Sequence, residues 1–116
     1  MNLDPQPLAV RQDAAGSVEI RLAVPATLPC FADHFPDHPM LPGVLQVGWA
    51  VRLAQQHFGI AAPLHEARQL KFQHPIQPDV ALTLTLSRSG EHDVAFRYAT
   101  PERLCSAGRL GFAAGA

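Results

Sequence analysis

Cysteine is scarce: Cys30 and Cys105 are the only two, and they show no metal-ligand spacing. A reduced, cytoplasmic chain is the simplest reading. An excess of charge of either sign is also absent. Nine Lys and Arg stand against ten Asp and Glu, a net charge of −1, so no strong field marks nucleic acid or an acidic membrane as a partner. No apolar run is long enough to span a bilayer, and residues 1–12 lack the apolar core of a signal peptide. Repeats, linkers and low-complexity segments are missing too. What remains is one expected domain over 1–116, with loose ends at 1–7 and 113–116. A domain of that length can bury a core, and gains further from dimerisation.

Residues 17–24 alternate apolar and polar with period two, as a half-buried strand does, and 13–16 supply the turn before it. Residues 8–10 read as a short edge strand. Pro25 ends the 17–24 strand, and a loop is expected to run on to Pro42. Residues 43–58 form the one convincing helix, closed by Gly59. Its apolar residues fall on two arcs: Val44, Val47, Ala50, Val51, Ala54 and Phe58 on the larger, Leu45, Trp49 and Leu53 on the second. Such a helix is expected to be largely buried and wrapped. Residues 66–74 carry an imperfect strand pattern, while 80–86, 93–99 and 104–112 read as strands at hairpin spacing. The expected fold is α+β: a curved antiparallel sheet of about five or six strands around one long central helix.

Everything converges on the stretch His34-Phe35-Pro36-Asp37-His38-Pro39-Met40-Leu41-Pro42-Gly43-Val44-Leu45. Its prolines each fix φ near about −65° and leave the loop few conformations. Gly43 opens the helix with no side chain of its own over the backbone. A helix start offers unpaired N–H groups and the positive end of the dipole, so it suits an oxygen that gains negative charge. A histidine held beside it points to acid–base chemistry at a polarised carbonyl.

This stretch resembles the H-F-P-x-x-P-x-x-P-G-V-L signature of the hotdog-fold 3-hydroxyacyl-[acyl-carrier-protein] dehydratases of the FabZ/FabA type. Leu70-Lys71-Phe72-Gln73-His74-Pro75-Ile76-Gln77-Pro78-Asp79 is similar to the same family's strand and PVxPGD corner. The resemblance implies a cytoplasmic hotdog dimer with acyl tunnels at the subunit interface, as a homodimer, a heterodimer or a higher oligomer. It implies an acyl carrier protein as partner and no cofactor, the acyl group riding on phosphopantetheine of the carrier or on CoA. It casts His34 as the base at C2 and the Gly43 N–H as the catalytic oxyanion donor. Phe35, Pro42, Val44, Gly48 and Arg52 are then the substrate-binding candidates.

One position departs from the pattern. The family continues P-G-V-L-x-x with Glu or Asp, and here Gly48 stands at that place. A mid-helix glycine costs about 1 kcal/mol against alanine. Either close helix packing or a wider pocket for a bulky or conjugated acyl chain accounts for it. Gln46 is rotated about 160° around the helix from position 48 and does not replace the acid. Arg52, one turn on, leans toward the vacated space; the plain reading makes it a solvent or interface residue. Asp33, Asp37 or Glu66 would restore a two-residue site. The run Gln46-Val47-Gly48-Trp49-Ala50 is similar in style to dehydratase-like proteins of aryl-polyene clusters. His38 is expected to bond within its loop, and Trp49 to be core or interface. His57, His65, His74 and His92 lack ligand spacing, and both cysteines read as small buried hydrophobes. A dehydratase is the leading function, with a hotdog thioesterase or a non-catalytic acyl-binding subunit as alternatives.

Overall fold

The computed structural model describes residues 3–13, 15–33 and 37–113. The elements in chain order are β1 (Pro7–Gln12), β2 (Val18–Leu22), α1 (Cys30–Asp33), α2 (Gly43–Phe58), β3 (Leu64–Phe72), β4 (Leu82–Arg88), β5 (Asp93–Ala99) and β6 (Leu104–Phe112). All six strands form one antiparallel sheet in the order β1-β2-β4-β5-β6-β3. β4, β5 and β6 are the expected meander. β1 and β3 are its edges, so the chain leaves β2 for α2, adds β3 at the far edge, and returns to fill the centre.

Period-two alternation decides which way each strand faces. Ile20, Leu84, Phe96, Tyr98 and Leu110 are buried on the inner face, where α2 lies. The helix meets that face through Trp49, Ala50, Leu53 and Ala54. Ala50 and Ala54 have no accessible surface, and side chains this small let the helix lie close to the sheet. Each large apolar side chain buried here contributes about 1.5–3 kcal/mol. The helix stops at Gly59, whose φ of 64° only glycine adopts freely. Arg88 covers that end: Nη1 donates to the Phe58 carbonyl at 3.3 Å, and the guanidinium lies 5.9 Å from the Phe58 ring centre.

Three details differ from the sequence reading. The segment between Pro25 and Pro42 is interrupted by the four-residue helix α1, too short for periodicity to reveal. The lead-in before β1 is docked rather than loose: the Trp49 indole donates to the Leu3 carbonyl at 2.7 Å, and Ala23 N–H donates to the Gln6 carbonyl at 3.0 Å. The apolar arc of α2 is split. Val44 is 83% exposed, while Gln46, a polar residue, is buried at 4%. The sheet covers one side of α2 only, and a helical wheel does not say which side meets it.

The imperfect pattern of 66–74 has a local cause. Arg68 pairs with Arg109 and Lys71 with Ala107, so Gln69 and Leu70 together oppose Gly108, a bulge that resets the alternation. Gln69 takes φ 52° there. Gly108 is required: a Cβ on it would fall 2.6 Å from Leu70 Cδ2 and 2.7 Å from Phe96 Cε2.

Candidate functional site: a bare helix start at the end of an apolar groove

The start of α2 is held from behind. Leu41 N–H donates to the Ile76 carbonyl at 2.8 Å, and Gln46 Nε2 donates to the Leu41 carbonyl at 2.9 Å. Ser106 Oγ donates to Gln46 Oε1 at 2.6 Å, and Tyr98 Oη donates to the Gln46 carbonyl at 2.6 Å. This buried network ties the loop, the first turn of α2 and strands β5 and β6 together. Burial pushes the Tyr98 phenol up, well beyond its ordinary range, so it stays a neutral donor.

The front is left open. Pro42 caps the helix in extended conformation, φ −61° and ψ 145°, and contributes no side-chain bond. Its carbonyl accepts from Leu45 N–H at 3.1 Å and Gln46 N–H at 3.0 Å. Among the described residues, no side chain caps the N–H groups of Gly43 and Val44. They are the orphan donors of a helix N-terminus, with the positive dipole end behind them. Gly43 is not as open as its missing side chain implies. A Cβ there would sit 3.0 Å from Phe72 Cζ, so the glycine makes room for the Phe72 ring at the end of β3.

From this point an apolar groove of about 820 Å³ runs along α2, with Val44, Val47 and Val51 on one wall and Leu64, Leu70 and Phe72 on the other. A second recess of about 490 Å³, bordered by Met40, His74 and Pro75, meets it at Gly43, Val44 and Phe72. The bare N–H groups therefore sit where two cavities join. Arg103 Nη1 lies 3.1 Å from His74 Nδ1, and because guanidinium only donates, Nδ1 is the acceptor.

Pro42, Gly43, Val44, Gly48 and Arg52 are brought to one side of α2, all but Pro42 along the groove and Pro42 in the adjoining recess. His34 and Phe35 lie outside the described residues, as does the side chain of Asp33. Glu66 bonds Arg68 at 3.3 Å and, like exposed Asp37, does not border the groove. Arg52 is ion-paired with Asp4. Gln46 faces the core, and its part in holding the helix start was missed; a glutamine amid apolar residues was the signal for it. Asp4 and Phe72 were missed because tertiary docking alone brings them here. Among the described residues no three His, Cys, Asp or Glu gather as a metal site. Burial pushes the Cys105 thiol up, which leaves it unreactive.

Among the described residues nothing packs against Gly48: none lies within 4 Å of a Cβ built on it. Gly48→Ala should therefore raise stability by about 1 kcal/mol, read from the urea midpoint. A loss instead would mean that another chain packs against position 48.

A six-stranded antiparallel sheet around one long helix, with an apolar groove ending at that helix's bare N-terminus, defines a hotdog-fold protein. The chain belongs to the ApeI-like dehydratase family: the family model, described as ApeI dehydratase, matches residues 10–109. It is similar to a chain of the dehydratase heterocomplex ApeI:P from Xenorhabdus doucetiae, with 31% identity over 93% of this chain and 96% of that one, and a TM-score of 0.84. An uncharacterised protein from Erwinia carotovora subsp. atroseptica is 30% identical over 94% of this chain and 95% of its own, with a TM-score of 0.81. Thioesterase superfamily member 2 from Mus musculus, at 10% identity over 92% of this chain and 81% of its own and a TM-score of 0.69, shares the fold alone. No curated protein matches the chain. No helix among the described residues is long and apolar enough to cross a membrane.

Proposed function

We propose that the chain removes water from 3-hydroxyacyl thioesters delivered on acyl carrier protein. One observation carries the reading: the N–H groups of Gly43 and Val44, uncapped among the described residues, stand at the end of a groove fit for an alkyl or polyene chain. A thioester oxygen placed on those donors is stabilised as it gains charge, which acidifies C2. His34 takes the C2 proton, the C2–C3 double bond forms, the C3–O bond breaks, and the departing oxygen leaves as water with the proton that the imidazolium returns. The smaller recess then takes the thioester and its pantetheine arm, and the carrier docks outside it.

A second hotdog subunit completes the groove. It is open in the single protomer, and β3, nine residues long and largely exposed, is a sheet edge beside it. An unpaired edge of that length invites a partner strand. The partnership in the heterocomplex of Xenorhabdus doucetiae supports a dimer, with a like or an unlike partner. The test is removal of one water from a carrier-bound 3-hydroxyacyl group, read as the intact mass of the carrier. The protein is purified with any subunit that accompanies it.

A further inference from the structure

We propose that Asp4, carried in on the N-terminal segment and held by Arg52, is the carboxylate of the dehydration site and binds the substrate's 3-hydroxyl. The inference rests on the dehydratase reading and adds a residue to it.

Three ties place the segment. The Leu3 carbonyl accepts from the Trp49 indole at 2.7 Å, the Asp4 carboxylate pairs with the Arg52 guanidinium, and the Gln6 carbonyl accepts from Ala23 N–H at 3.0 Å just before β1 begins. The segment thus crosses α2 and places a carboxylate above its open side. Trp49 and Arg52 lie one and four residues past Gly48, and among the described residues nothing lies within 4 Å of a Cβ built at Gly48. Asp4, Gly48 and Arg52 border the same groove. Among the described residues, Asp4 is the only carboxylate that borders either that groove or the recess joined to it.

The chemistry requires such a group. Elimination is fastest when the C3–O bond is aligned with the C2–H bond that breaks, and a free hydroxyl in an apolar groove has nothing to hold it. A buried hydroxyl without a partner is itself unfavourable. A carboxylate accepts the hydroxyl hydrogen, which fixes the rotation about C2–C3. Arg52 orients that carboxylate. Asp4 ends the step as it began, because the proton that completes the water comes from His34. The glycine at position 48 follows from this arrangement: a side chain there would stand between Asp4 and the substrate.

The experiment compares wild type, Asp4→Asn, and Asp4→Asn combined with Gly48→Asp, on carrier-bound 3-hydroxyacyl substrate with the complex as purified. Asp4→Asn should lower kcat by about 10²-fold, the cost of a misplaced reacting group, with KM changed less than about threefold. The melting temperature should hold, since an exposed ion pair of this kind adds little stability. Adding Gly48→Asp, which places a carboxylate directly on α2, should recover at least about tenfold of the loss. Asp4→Asn at the wild-type kcat would overturn the proposal. So would a loss confined to KM that Gly48→Asp does not repair, since Asp4 would then be an anchor only. An inactive wild type would instead overturn the dehydratase reading beneath it.

Discussion

His34→Ala should lower kcat for carrier-bound 3-hydroxyacyl substrate by about 10²–10⁴-fold, the usual contribution of a positioned acid–base group. The protein should still fold, because among the described residues Leu41, Gln46, Ser106, Tyr98 and Ile76 already hold the helix start. The structure supplies a rival for the role in His74, which borders the recess beside Gly43. His74 is already engaged with Arg103 at Nδ1, on an exposed corner. A base there would leave His34→Ala active, so the variant separates the two histidines. Rate is read from the carrier mass over time, and folding from circular dichroism.

Gln46→Ala should destabilise the protein by about 2–4 kcal/mol, measured by urea denaturation. The side chain is buried and fully bonded. Removing it leaves the Leu41 carbonyl and the Ser106 hydroxyl without partners, at about 1–3 kcal/mol each, and opens a cavity beside them. The Tyr98 bond survives, since it goes to the backbone of residue 46. Activity should fall beyond what unfolding explains, because the Leu41 link sets where the Gly43 and Val44 N–H groups point. A shift of well under 1 kcal/mol would mean that water replaces the amide, and that the network does not position the site.

Much of this architecture is legible in the residues. Gly43–Phe58 is bounded as expected, because Pro42 and Gly59 punctuate it chemically. β5 and β6 begin and end where turn residues place them. The motif from His34 to Leu45 points to the family, and among the described residues no side chain caps the helix start within it. Other features depend on tertiary contacts that no local pattern encodes. The periodicity of α2 cannot tell that Gln46 turns inward while Val44 turns out, since both sides of the wheel are rich in apolar residues. The bulge at Gln69 and Leu70 depends on Gly108 across the sheet. Asp4 is separated from Arg52 by 48 positions, and only folding brings them together.

The bare N–H pair, the groove beside it and the His34 loop all bear on one claim, that the chain dehydrates a carrier-bound 3-hydroxyacyl thioester. The most direct test incubates the purified protein with a 3-hydroxyacyl carrier and weighs the intact carrier. The account predicts a carrier lighter by one water, with the acyl group still attached. A carrier of unchanged mass, or one stripped of its acyl group as free acid, would contradict it.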